Sequence, residues 1–348
     1  MKKAQKVKPK EYKEIKYTEP QLIAFFDSVG KLPIQPLADK ATFLADSIFE
    51  NFTQPMNKIV SSADFVSLKN CIRNGMINTS TAKKIFGEIK FDSTCNAKTL
   101  FDSVKKGNVY LEYLPFDGHR NKFDEFGILL GDAAHCDSSM LYFFKGNKII
   151  ARQSGYSRYN DNIQYFKNVD GESIIYRRFE FTRGSGIWWF NSFFYKYDGD
   201  RIIPVLNELK NSNLLQPSPW GTRELWLESI IQTTNPLVIK VVYHQQFPDT
   251  TDYDHYVTDT KPGPMIANDS TVIRYTWNAK TKKLEAQLEK AKINRPQILS
   301  YYLVDNEMLF ISAYHQRIKT IMLNKNRKKS VLHYLNIVKN QQNELSER

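Results

Sequence analysis

Cysteine is nearly missing from this chain. Three residues in 348, Cys71, Cys95 and Cys136, match no CxxC pair and no zinc-ligand spacing. An odd count excludes a disulfide framework that uses every thiol. A Cys71–Cys95 pair is open to an exported protein, but free, partly buried thiols are the expectation. The six histidines, His119, His135, His244, His255, His315 and His333, form neither HxH nor HExxH, which excludes a metalloprotease-type zinc site. No glycine-rich phosphate loop occurs. Arg183-Gly184-Ser185-Gly186 lacks the first glycine of a nucleophile elbow and reads as a hairpin turn. No cofactor is therefore expected.

Long apolar runs are also absent. None reaches the roughly 18 residues that a membrane-spanning helix needs. Met1-Lys2-Lys3 makes a basic start, but no apolar segment follows it as a signal peptide would require. As it stands the chain points to the cytoplasm. The Lys-rich stretch from Lys2 to Lys16 also fits a tether of an exported or lipid-anchored protein whose signal has been removed.

The net charge of +12 lies at the two ends. Residues 1–16 hold seven Lys against two Glu, and residues 317–348 hold eight Lys or Arg against two Glu. The body between them is close to neutral. A dedicated nucleic-acid surface would put a basic stripe on the folded body, so nucleic acid is not an expected partner. Solvated basic tails account for the excess.

What the chain does have is aromatic content (13%) and turn chemistry. Asp117-Gly118, Gly146-Asn147, Asp170-Gly171 and Asp198-Gly199 each separate two runs of aromatic and β-branched residues. Such dipeptides reach the positive φ of tight hairpin turns at little cost. Together they specify an up-and-down antiparallel meander. From Val109 onward the apolar period is two, with candidate strands at 109–114, 125–130, 139–145, 147–152, 163–168, 172–181, 187–197, 201–206, 223–231, 237–246, 270–277, 298–304 and 308–314. Trp188 to Tyr197 is apolar on both faces, so that strand should be central and covered on both sides. Residues 208–221 and 248–268 read as long irregular connections, which in compact folds are often functional.

Before Val109 the period is helical. Helices are expected from Thr18-Glu19-Pro20 to Gly30, over 37–51, from Ser61 or Ser62 to Gly75, from Thr79 to Gly87, and briefly near Ala97–Val104. A last helix is expected from Ser330, with Val331, Leu332, Leu335 and Val338 on one face, after a basic linker holding Lys325, Arg327, Lys328 and Lys329. The fold class is thus α+β, mainly β: a helical N-terminal region, a large antiparallel up-and-down β-meander (sheet or barrel-like) and a C-terminal helix. The expected division is a flexible basic arm at 1–17, a helical region at 18–106, an antiparallel β domain at 107–322, and a linker with helix at 323–348. The strand–turn–strand blocks over 109–206 resemble, in turn grammar only, exported bacterial proteins built as β-meanders. That resemblance carries no site residues.

Candidate chemistry is sparse. His135-Cys136-Asp137 brings three reactive types together, but strand neighbours point to opposite faces, so His135 and Cys136 would not meet. The acidic connection holding Asp249, Asp252, Asp254 and Asp259 supplies oxygen ligands for a weak calcium site but lacks the EF-hand glycine and terminal glutamate; no metal site is assigned. His255 beside Asp254 is a further polar candidate. The cluster Trp188, Trp189, Phe190, Phe193, Phe194, Tyr195 and Tyr197 reads as mainly core. Trp220, in Ser-Pro-Trp-Gly, is the aromatic most expected to be exposed. The reading is of a non-catalytic binding protein that recognises a protein or carbohydrate partner through loops and aromatics, with Trp220, Asp252, Asp254 and His255 as ligand contacts. The alternative is a glycosidase-like hydrolase drawing carboxylates from Glu224, Glu228, Asp252 and Asp254.

Overall fold

The computed structural model describes residues 14–87, 107–130, 139–155, 162–168, 170–182, 188–214, 223–248, 265–288, 291–300 and 307–346. Helix α1 (Glu19–Gly30) starts where the Thr18 amide donates to Gln21 Oε1 (2.8 Å) and Pro20 supplies a helical φ in the first turn. Helix α2 (Ile34–Phe52) follows directly and leads into strand β1 (Thr53–Ile59). Helix α3 (Ser62–Asn74) is capped by Ser61, whose hydroxyl accepts from the Asp64 amide, and ends at Gly75 in the left-handed conformation (φ 66°). Strand β2 (Met76–Asn78) and helix α4 (Thr79–Phe86) complete this part. The helix expected near Ala97–Val104 lies outside the described residues.

Two antiparallel sheets follow. The first contains β1, β2, β3 (Asn108–Leu114), β4 (Glu125–Leu130), β5 (Ser139–Lys145) and β6 (Lys148–Gly155) in the order β1-β6-β5-β4-β3-β2. The second contains β7 (Asn162–Lys167), β8 (Ser173–Thr182), β9 (Trp188–Asp198), β10 (Arg201–Leu214), β11 (Arg223–Thr234), β12 (Leu237–Pro248), β13 (Met265–Asn278) and β14 (Lys283–Ala286), laid down strictly in chain order. Thr53–Ile59 and Met76–Asn78 were expected to be helical or linking, yet they form the two edges of the first sheet. β1 carries Pro55 and a register break between Pro55 and Lys58, both tolerated at an edge. The span 208–221 was expected to be irregular, but β10 continues through Leu214, paired with β9 and β11.

Two other expectations are overturned. The strand expected at 308–314 is replaced by helix α6 (Glu307–Ala313), and the start of the one expected at 298–304 belongs to helix α5 (Arg295–Leu299), residues 301–304 lying outside the described residues. Asn294 and Gln297 form a capping box with Pro296 in the first turn of α5, and Leu309, Phe310 and Ile311 of α6 are all buried. A short apolar run has no period that separates a strand from a buried helix. The last helices are α7 (His315–Ile321) and α8 (Lys325–Ser346). The basic stretch expected as a linker is the first turn of α8, capped by Asn324 Oδ1, which accepts from the Asn326 and Arg327 amides (3.0 and 3.2 Å). Residues 14–17, expected within a flexible arm, lie along α8. There the Ile15 and Tyr17 amides donate to Asn340 Oδ1 and Asn336 Oδ1 (2.9 and 3.1 Å).

The packing has four layers. Helices α3 and α4 cover the outer face of the first sheet, burying Leu68, Ala82, Ile85 and Phe86 against Phe126, Ile128, Tyr142 and Phe144. The inner face of that sheet, through Leu129, Leu141 and Phe143, meets Ile175, Phe193, Tyr195 and Tyr197 of the second sheet. The Tyr197 hydroxyl crosses between the sheets to the carbonyls of Phe126 and Phe144 (3.1 and 3.0 Å). The other face of the second sheet wraps around α1, α2 and α5–α8, where Phe26, Phe310, Tyr314, Tyr334 and Leu335 meet Ile239, Tyr243, Ile273 and Tyr275. From Ser192 to Tyr197, β9 is therefore buried on both faces.

The second sheet curls until its first and last hairpins touch. Lys282, between β13 and β14, pairs with Asp170 (2.8 Å) and Glu172 (3.1 Å) between β7 and β8. Trp277 Nε1 donates to Asp170 Oδ2 (3.0 Å), and the Leu237 amide donates to Asn168 Oδ1 (3.2 Å). The meander is barrel-like at this end, closed by side chains.

Candidate functional site

An antiparallel meander sorts its connections alternately to its two ends. The turns 168–172, 199–200, 235–236 and 279–282 lie at one end of the second sheet; the connections 183–187, 215–222 and 249–264 are rooted at the other. Leu214 pairs with Arg223, and Pro248 pairs with Met265, while β11 and β12 are immediate neighbours. The roots of the Trp220 connection and of the acidic connection thus sit side by side. Trp220, Asp249, Asp252, Asp254, His255 and Asp259 themselves lie outside the described residues, as do Cys95, His135, Cys136 and Asp137. Glu224 and Glu228 stand on β11, in register with Gln246 and Val242. Four residues of strand separate their Cα atoms by about 13 Å, whereas a glycosidase holds its two carboxyl groups about 5 to 10 Å apart.

The convex face of the second sheet is covered unevenly. Over β8–β10 it is sealed by the first sheet. Over β11–β13 it carries the register rows Glu228–Val242–Val272 and Ile230–Lys240–Arg274, and Ile230 and Val272 are 50% and 46% exposed. His244 is half-buried in the next row toward the long connections. A groove of about 950 Å³ over β13, β14 and their turn is lined by Val272, Arg274, Thr276, Asn278, Lys280 and Glu285.

At the end opposite the long connections, the four turn dipeptides converge. A cleft of about 470 Å³ between the two sheets is lined by Asp117, Asp124, Glu125, Lys145, Lys167 and Ser173, with Gly146 and Gly171 at its edge. The turn at Asp117 is built by its own carboxylate: Oδ1 accepts from the His119 amide (2.8 Å), and the Gly118 amide donates to the Pro115 carbonyl (2.9 Å). The Gly146 amide donates to the Asp124 carbonyl (2.7 Å), joining two walls. Lys145 reaches the Gly199 carbonyl (3.0 Å). Burial pushes the Glu125 carboxyl upward. Lys145 and Lys167 pull it down, while Asp117 and Glu172 add to the rise. Burial likewise raises the phenols of Tyr113, Tyr165 and Tyr197, with the Asp117 charge contributing at each.

Sequence reasoning read Asp117 only as a turn residue and did not single out Asp124, Glu125, Lys145 or Lys167. The available signal was parity: the four dipeptides fall on every second connection. Elsewhere, Cys71 on α3 is half-buried and its thiol is pushed up by burial. His315 stacks on Phe26 (4.2 Å between centroids) as part of the helical core. Among the described residues, no group of three His, Cys, Asp or Glu converges to hold a metal ion, and no helix is long and apolar enough to cross a membrane. No protein-family model matches the chain, and comparison with curated proteins and with solved structures returns no similar protein.

Proposed function

We propose that this protein is a non-catalytic binding protein that engages a protein partner through the convex face of β11–β13 and the connections rooted beside it. One observation carries the reading. The same sheet face that is sealed over β8–β10 leaves Ile230 and Val272 half exposed over β11–β13, flanked by Glu228, Lys240 and Arg274. An apolar centre with a charged rim is the anatomy of a protein interface. Trp220, Asp252, Asp254 and His255 are proposed as further contacts, because their connections spring from the end of this face. A rigid aromatic there would anchor a partner.

The test is a photo-crosslinking residue placed at Ile230, at Val272, and at Val66 on α3 as an exposed control, in the cells that make the protein. One protein adduct shared by positions 230 and 272 and missing at 66 is expected, and Ile230→Asp should abolish the adduct at 272. No shared adduct, together with saturable oligosaccharide binding lost in Trp220→Ala, would replace the protein partner with a glycan.

A further inference from the structure

We propose that the cleft at the hairpin end binds a small zwitterion, seating an ammonium group against Asp117 and a carboxylate against Lys145 and Lys167. The site is separate from the convex face, and its test is independent of that reading.

The first observation is an unanswered acceptor. Asp117 is 8% exposed, its Oδ1 is engaged by the His119 amide, and its Oδ2 is buried with no hydrogen-bond partner among the described residues. A buried carboxylate oxygen without a donor is costly, and a fold that keeps one in a cleft wall leaves a place for a donor from outside. The second observation is the separation of charge. Asp117, Asp124, Glu125, Lys145 and Lys167 all line one cleft, yet none of them forms an ion pair within 4.0 Å among the described residues. Opposite charges that share a cleft without touching leave a gap, and a molecule carrying both signs spans it. The volume of about 470 Å³ is that of a small-molecule site. The carboxylates do not converge on one point as a metal site requires, which favours an organic ammonium.

Calorimetric titration of the full chain tests this, with glycine, β-alanine and γ-aminobutyrate as probes of increasing charge separation and with methylammonium and acetate as single-charge controls. At least one zwitterion should bind saturably and about tenfold more tightly than either control. Asp117→Asn keeps the turn acceptor but removes the charge, and should weaken that binding by about tenfold or more. Lys167→Met, on the exposed rim, should do the same without altering the melt. Binding of methylammonium alone, unaffected by Lys167→Met, would overturn the zwitterion in favour of a plain cation site. Absence of saturation for every zwitterion, or unchanged affinity in a folded Asp117→Asn variant, would overturn the site itself.

Discussion

Replacing Tyr197 by Phe removes one hydroxyl from the seam between the two sheets. The ring stays, and with it the packing against Phe116 and Phe143. What is lost is a single O–H that lies 3.1 and 3.0 Å from the carbonyls of Phe126 and Phe144, and one proton serves both. A buried hydrogen bond contributes a net 0.5–1.5 kcal/mol, and carbonyls deprived of a donor add to the loss, so about 1–2 kcal/mol is expected. Tyr113 supplies the control. Its hydroxyl is also buried but has no hydrogen-bond partner among the described residues, while its ring packs on Phe123 and Phe126. Tyr113→Phe removes a desolvated group that bonds nothing, and should be neutral or stabilising by up to about 1 kcal/mol. The same chemical change should therefore cost stability at Tyr197 and none at Tyr113. Urea denaturation followed by tryptophan fluorescence and far-UV circular dichroism, with m-values compared, measures both. In thermal melts the separation should be about 2 °C per kcal/mol, the lower end for a chain of this length. If Tyr113→Phe cost as much as Tyr197→Phe, the hydroxyl bridge would not be what joins the sheets at this point.

Two further outcomes test the fold. Gly127 of β4 has no room for a side chain, since a Cβ there would lie 2.6 Å from Phe116 Cζ and 3.1 Å from Leu141 Cδ1; Gly127→Val should destabilise by about 1–3 kcal/mol in denaturant melts, and Phe116→Leu should recover part of that. Burial alone would raise the Asp170 carboxyl, but hydrogen bonds from Lys282 and Trp277 outweigh it and hold the group below its ordinary value of 3.8. A depressed carboxylate contributes stability that is fully present above about pH 4 and is lost as the pH falls through the folded value. Lys282→Met should therefore flatten the acid limb of the stability profile between about pH 5 and 2, and an unchanged limb would show that the clasp between the first and last hairpins adds nothing.

The meander after Val109 was legible because each turn announced itself. Gly146, Gly171 and Gly199 adopt φ of 58°, 79° and 59°, values that a chain reaches cheaply only with residues of this kind, and the flanking alternation sets the register. Capping chemistry placed the helices between Thr18 and Gly87 equally well. The misses share a cause. Thr53–Ile59 contains Pro55, and Asn57 at φ 51°, so it reads as a break rather than as a strand; it becomes one only because β6 offers an edge roughly a hundred residues away in sequence. Glu307–Ala313 is mainly apolar, and its helical state is decided by the concave core that it plugs. Local pattern cannot report a partner that is distant along the chain.

Parity carries more than local pattern does. In an up-and-down sheet every second connection returns to the same end, so Asp117-Gly118 shares an end with Gly146-Asn147, and Asp170-Gly171 with Asp198-Gly199; Lys145, reaching the Gly199 carbonyl, brings the two pairs together. The long connections of residues 215–222 and 249–264 were likewise bound to share the opposite end. The polar residues that tight turns demand are thereby gathered at a single edge, and the aspartate chosen for its turn geometry becomes the buried wall of a cleft. What parity could not reveal is the curl. It is held by Lys282 with Asp170, 112 residues apart, and by Trp277 with the same carboxylate, at 107. Closure draws the sheet around the helices while the first sheet covers only its first half. The open face over β11–β13 follows from that mismatch in width: six strands, one of them the three-residue edge Met76–Asn78, set against eight. A surface that results from one sheet outrunning its cover has no motif of its own, so Ile230 and Val272 look in sequence like any other core-facing pair.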